Sequence, residues 1–230
     1  SNSQQFYRKF SFTFLLLLTK LTSRFIIMKN KFKHQRKSQI MNAALSVAVE
    51  KGYYNSRMDD IVKKSNLSKG AIYWYYKSKK DVYLELVDHW FKQYSSDVLI
   101  KIESKKTASD KLNALFQYFS SQFVKNQSVF RILSEFWSLS KIDPDFNDKL
   151  QKVYKVFLDY IIIIIKEGIA LKEFKNVDPR ITALSILINL EGIHWFTLFE
   201  KSGVEAKEYI STISDFILSG LIKGLKNESN

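Results

Sequence analysis

The chain has 230 residues, 46% hydrophobic and 26% charged, which suits one large globular domain or two modest ones and argues against wholesale disorder. Cysteine is absent, which excludes a disulfide scaffold, thiolate catalysis and any Cys-based zinc site; seven Gly and two Pro are too few for a many-turned sandwich or a glycine-loop nucleotide fold. An all-helical fold is expected. The formal charge of +13 is concentrated: residues 1–80 hold 17 Lys and Arg against Glu50, Asp59 and Asp60, while residues 81–230 are nearly neutral. Such asymmetry marks one part that meets a polyanion and another that does something else.

Residues 1–32 read as an N-terminal extension. Phe10-Ser-Phe-Thr-Phe-Leu-Leu-Leu-Leu-Thr19 is apolar and follows Arg8 and Lys9, like the first two regions of a signal peptide. Lys20 and Arg24 interrupt it short of a membrane-spanning length, and no small-x-small cleavage site follows. Met28 reads as a natural start, with the preceding stretch an upstream extension behind a Ser1-Asn2 remnant. A membrane-touching segment or an ordered extra element are the other two readings.

From His34 onward, Ile40, Ala43, Ala44, Val47 and Ala48 mark one face of a helix that Gly52 ends. Ser56 or Arg57 opens a short helix with Met58, Ile61 and Val62 inward and Asp59 and Asp60 in its first turn, where the helix dipole favours acids. Asn66 stands where a tight turn needs a residue tolerant of positive φ. Ser68 caps a second short helix to about Tyr75, and Ser78 caps a longer one carrying Val82, Tyr83, Leu86, Val87, Trp90, Phe91 and Tyr94 on one side. A Lys/Ser/Thr break at 104–107 precedes a helix with Leu112, Leu115, Phe116, Phe119 and Phe123, and another with Phe130, Leu133, Phe136 and Trp137. Asp143-Pro144 and Asp178-Pro179 each pair an N-cap with proline at the first helical position. The first opens a helix to about Leu171, in which five consecutive isoleucines are kept helical by the flanking 3.6-residue pattern. The second opens a helix to about Phe199, and Gly203 separates that one from a last helix.

Two short helices joined by a tight turn behind a supporting helix describe a helix-turn-helix over 33–80, followed by a helical effector-binding and dimerisation domain over 81–230. The second short helix, Ser68-Lys-Gly-Ala-Ile-Tyr-Trp-Tyr-Tyr76, suits a DNA reader. Its start offers free backbone N–H groups, Gly70 and Ala71 permit close approach, and Tyr73, Trp74 and Tyr75 present donors and apolar faces for phosphates or thymine methyls. Leu67, Ile72 and Tyr76 are expected in the core.

Gly52-Tyr-Tyr-Asn-Ser-Arg-Met-Asp-Asp-Ile-Val62, Ser65-Asn-Leu-Ser-Lys-Gly-Ala-Ile-Tyr73 and Lys77-Ser-Lys79 together resemble the N-terminal domain of the tetracycline-repressor (TetR) family, over about residues 33–85. Arg57, Val62, Asn66 and Tyr76 depart from its pattern of hydroxyl, Ala, Gly and Phe. The resemblance implies an all-helical homodimeric regulator, a repressor in most cases, with a variable C-terminal ligand domain that dimerises through its last two helices.

DNA contact is therefore expected from Arg36, Ser56, Arg57, Ser68, Lys69, Gly70, Ala71, Tyr73, Trp74, Tyr75 and Lys79. A largely apolar effector is expected among Trp90, Tyr94, Phe119, Phe123, Trp137, Tyr160, Glu191, His194 and Trp195, with Asn189 a further polar candidate. The dimer interface is expected at Leu184, Ile188, Trp195, Phe199, Ile213, Phe216, Ile217, Gly220 and Leu221. Glu135-Phe-Trp137, Ile165 to Phe174 and Asp178-Pro179 resemble the C-terminal domain of regulators that sense fatty acyl thioesters or other amphipathic effectors. The expected partners are a palindromic double-stranded operator, such an effector and a second copy of the chain, in the cytoplasm. No Gly-x-Ser-x-Gly, P-loop or HExxH motif occurs, and three scattered His without Cys suggest no metal, so neither enzyme activity nor a cofactor is expected. The alternative is a membrane-associated helical interaction protein using residues 6–28.

Overall fold

The computed structural model describes residues 31–192 and 203–223, apart from the side chains of residues 93, 94 and 131. The expectations placed on residues 1–30, on His194, Trp195 and Phe199, and on the side chain of Tyr94 lie outside the described residues. Helix α1 covers 31–55 of these. It is followed by α2 (Met58–Ser65), α3 (Lys69–Tyr75), α4 (Lys79–Glu103), α5 (Ala108–Lys125), α6 (Gln127–Ser140), α7 (Pro144–Ala170), α8 (Pro179–Glu191) and α9 (Ala206–Leu221). Every regular element described is a helix, apart from one antiparallel bridge between Phe174 and Ile222.

Local chemistry sets most of the boundaries. The Ser68 side chain accepts from the Ala71 amide, and Ser78 and Asp81 exchange hydrogen bonds with each other's backbone N–H. Asp143 accepts from the Asp145 amide, and Asp178 from those of Arg180 and Ile181. Each such cap stabilises its helix by about 1 kcal/mol. Asn66 adopts φ 55°, the left-handed turn conformation expected of it, and Gly52 adopts φ 74° near the end of α1. The isoleucine run is helical, with Ile161, Ile164 and Ile165 buried and Ile163 exposed. The spacing of those three is the helical period asserting itself over β-branched propensity.

Ile40, Ala44, Val47 and Ala48 of α1 pack with Ile61 of α2, Ile72 of α3, Tyr76, and Val82, Tyr83 and Leu86 of α4 in a small, tightly filled head. Helix α4 continues out of that head, so the division expected at residue 80 is spanned by one continuous helix. In the body, α5 packs on α4, α6, α7 and α9, and α7 on α4, α6 and α8. Gly168 is required by a close approach: a Cβ there would lie 2.2 Å from the Phe174 ring, which the loop folds back onto α7. None of the described helices is long and apolar enough to cross a membrane.

Candidate nucleic-acid interface and apolar cavity

Helix α3 turns Ile72 fully inward, and Tyr76 follows it at 4% exposure. The same periodicity turns Trp74 and Tyr73 outward, at 71% and 40% exposure, beside exposed Lys69 and Gly70. Tyr75 is half-buried and meets Trp74 edge-on at 4.6 Å. Lys69 Nζ lies 2.8 Å from the Asp59 carboxylate and 5.9 Å from the Tyr73 ring centre. The Asp59 carboxylate raises the affinity of Lys69 for its proton. Arg57 is exposed at the start of α2, and its amide donates to Asp60. Arg36 is exposed on α1, donating to Gln39.

Two residues expected on this face are occupied elsewhere. Ser56 is 2% exposed; its hydroxyl donates to the Tyr53 carbonyl and accepts from the Tyr83 hydroxyl. Burial pushes Tyr83 up to about 12, so it remains the donor. Lys79 folds its ammonium back onto the end of α1, 2.6 Å from the Tyr53 carbonyl, 3.0 Å from that of Ser56 and 4.3 Å from the Tyr53 ring centre. Burial holds its pKa below the usual lysine range. This lysine satisfies carbonyls that a helix end leaves open, a capping role. Sequence spacing could place it near the head's surface but could not reveal the carbonyls opposite it.

The head meets the body at the same spot. Glu135 of α6 accepts from the Tyr53 amide at 2.6 Å, and a Cβ on Gly52 would sit 2.7 Å from that carboxylate. Tyr53, Tyr83, Phe136 and Phe146 stack edge-on or face-to-face around it, with ring centres 4.9–6.2 Å apart. Lys80 binds Asp143 and Asp145 at 2.7 and 2.6 Å, tying the start of α4 to the start of α7.

Other residues of α6, on either side of Glu135, face a cavity of about 1150 Å³. Its wall comes from α5 (Phe123), α6 (Gln127, Phe130, Ser134, Trp137, Ser138), α7 (Gln151, Tyr154, Lys155, Leu158), α8 (Leu184, Leu187, Ile188, Asn189, Glu191) and Tyr209 of α9, with Lys141 and Gly192. Its polar groups form a chain. Trp137 Nε1 donates to the Tyr154 hydroxyl at 3.1 Å, which donates to Glu191 at 3.1 Å. Burial, and then the Glu191 charge, raise the Tyr154 pKa well above the ordinary phenol range, so it stays a donor. Asn189 spends its amide on the Ser185 carbonyl. Of the residues expected to line an effector site, Phe123, Trp137, Asn189 and Glu191 are in this wall. Trp90 packs on the core, Phe119 stands against Phe157 with ring centres 6.0 Å apart, and Tyr160 donates to Glu103. Tyr154 was not among the expected residues, because a tyrosine on an apolar helix reads as core until its partner on another helix is known.

Leu184, Ile188 and Phe216 are exposed at 46%, 60% and 72%. Ile213 and Ile217 are half-buried, and Gly220 is exposed with no atom within 4 Å of an added Cβ. Leu221, expected at an interface, is 6% exposed inside this protomer, where it neighbours the bridge to Phe174. Gly192 faces the Tyr209 hydroxyl of its own chain.

A sequence profile described as bacterial regulatory proteins, tetR family, matches residues 40–86. The fatty acid metabolism regulator protein of Bacillus subtilis is 25% identical over 199 residues, 86% of this chain and 100% of that protein. The HTH-type transcriptional regulator QacR of Staphylococcus aureus is 24% identical over 191 residues, 81% of this chain and 98% of that one. The crystal structure of the transcriptional regulator FadR from Bacillus subtilis in complex with stearoyl-CoA shares the fold at TM-score 0.70 and 23% identity, covering 80% of this chain and 98% of that one.

Proposed function

Because the chain belongs to the tetR family of bacterial regulatory proteins and is a DNA-binding transcriptional regulator, we propose that it is a homodimeric cytoplasmic repressor released from a palindromic operator by an amphipathic effector of the fatty acyl thioester class. Tyr73, Trp74, Ser68, Lys69 and Arg57 face the major groove and its phosphates, with Gly70, Ala71 and Arg36 beside them. Ser56 and Lys79 shape the face from behind. The exposed Leu184, Ile188 and Phe216 stripe, with Gly220 permitting close approach, meets its own copy across a two-fold axis.

The observation that carries this reading is that one helix serves both sites. On α6, Trp137 is in the cavity wall and Glu135 holds the end of α1, two residues apart. An acyl chain entering between Phe123, Phe130 and Leu158 acts on α6, and α6 moves the head through Glu135. Effector and operator then compete by favouring different arrangements of one joint. The relatives supply the chemical class: one is a fatty acid metabolism regulator, and a fold neighbour holds stearoyl-CoA.

The test is fluorescence anisotropy with a labelled duplex carrying the palindrome upstream of the protein's own gene, titrated with acyl thioesters of graded chain length. Affinity should fall steeply with salt, as phosphate contacts require, and long-chain thioesters should release the duplex. Salt-insensitive binding would overturn the regulator reading. Release by no acyl thioester of any length would overturn the effector class.

A further inference from the structure

The outward face of α3 lacks the side chains that read most base edges. Between Lys69 and Tyr75 there is no Arg, Asn, Gln, Asp or Glu. Bidentate recognition of guanine takes Arg or Lys, that of adenine takes Asn or Gln, and cytosine's amino group takes Glu or Asp. Lys69, the one long polar side chain on the helix, is at its first position, paired with Asp59 at 2.8 Å beside the Tyr73 ring, where it suits a phosphate more than a base edge. What remains outward is bare backbone at Gly70, where nothing lies within 4 Å of an added Cβ, and the faces of Tyr73 and Trp74. Large apolar faces in water need an apolar partner. The apolar group that a base edge offers in the major groove is the C5-methyl of thymine. The basic head supplies the attraction to the backbone, so these rings are free to sort sequence.

Resting on the DNA-binding reading above, we infer that α3 selects its half-site through thymine methyl groups, with Trp74 and Tyr73 seated on them, and that the bases beneath α3 are rich in T·A pairs. Guanine N7 plays no part under this helix.

The full chain would be used to select duplexes from a random-sequence pool. In a selected duplex, each half-site thymine is then replaced by deoxyuridine, which deletes the methyl and keeps the pairing. In parallel, each guanine is replaced by 7-deazaguanine, which deletes N7. Deoxyuridine should weaken binding by about three- to fivefold at each contacted position, roughly the effect of one buried methyl. The 7-deaza substitution should change affinity less than about twofold. Trp74→Ala, whose side chain is already exposed, should fold normally and erase the difference between thymine and uracil at one position. Tight, salt-sensitive binding that ignores deoxyuridine, or that is weakened by 7-deazaguanine, overturns this inference alone. Failure to bind any duplex overturns it together with the DNA-binding reading.

Discussion

The head and the body spend the same residue type in opposite ways. In the head, a seven-residue helix turns Tyr73 and Trp74 outward from a core already closed by Ile72 and Tyr76. In the body, Phe123, Phe130, Trp137 and Tyr154 together line a cavity. Phe123 and Phe130 also belong to the packed core, whereas Trp74 and Trp137 stay 71% and 40% exposed. In the proposed reading, the outward rings of the head meet a DNA groove and the rings lining the cavity meet an acyl chain. Between the two lies a joint built in the usual way, with Tyr53, Tyr83, Phe136 and Phe146 closely stacked.

That contrast can be broken most severely at the proposed dimer stripe. Phe216→Glu puts a charge on a side chain 72% exposed in the protomer, so folding should survive. Sedimentation should show monomers, and operator affinity should drop by roughly 100-fold or more because two half-sites no longer bind together. Dimers that persist in that variant would place the interface elsewhere.

Next in size is the joint itself. Gly52→Ala forces a side chain onto φ 74° and toward the Glu135 carboxylate. Strain of about 1–2 kcal/mol, plus loss of the Glu135 to Tyr53 bond, should lower the melting temperature by about 5–10 °C. Scanning calorimetry checks this. Glu135→Gln should keep both binding activities and blunt release of the operator by the effector, measured by anisotropy.

The reciprocal pair sharpens the comparison. Trp74→Ala should cost about 1–2 kcal/mol of operator binding and leave effector affinity unchanged and melting temperature nearly so, since its ring is 71% exposed and meets the Tyr75 edge alone among the ring contacts described. Tyr154→Phe should do the reverse. Removing the hydroxyl between Trp137 and Glu191 leaves both short of a partner, weakening effector binding by about 1–2 kcal/mol with operator affinity of the free protein intact. Titration calorimetry on both ligands separates the two. If either variant loses both activities equally, the two faces are not independent.

The smallest effect concerns pH. Lys80 is the leading cause that holds the Asp143 carboxyl below the usual carboxylate range. A depressed folded-state pKa contributes stability above the unfolded value, about 3.9, which is lost as pH falls through the folded value. Stability should therefore decline below about pH 4, and Lys80→Met should flatten that decline slightly, since exposed pairs are screened by solvent. Acid titration of the melting temperature of both proteins reads it out.

The sequence by itself determined most of the helices and several of their starts, although the first helix runs past Gly52 to residue 55. Ser68, Ser78, Asp143 and Asp178 cap because a short side-chain oxygen reaches an amide two or three residues on, and Asn66 turns because it tolerates positive φ. Those are local interactions, legible within a few residues. The outward facing of Tyr73 and Trp74 followed as well, from helical period alone. What only the tertiary structure decided is which groups stand opposite one another. Lys79 became a cap for α1, Ser56 a buried link to Tyr83, Leu221 an internal residue and Tyr154 the middle of a polar chain in the cavity. Each depends on a partner 17 to 37 residues away or on another helix, and periodicity fixes the side a residue faces without saying what meets it there.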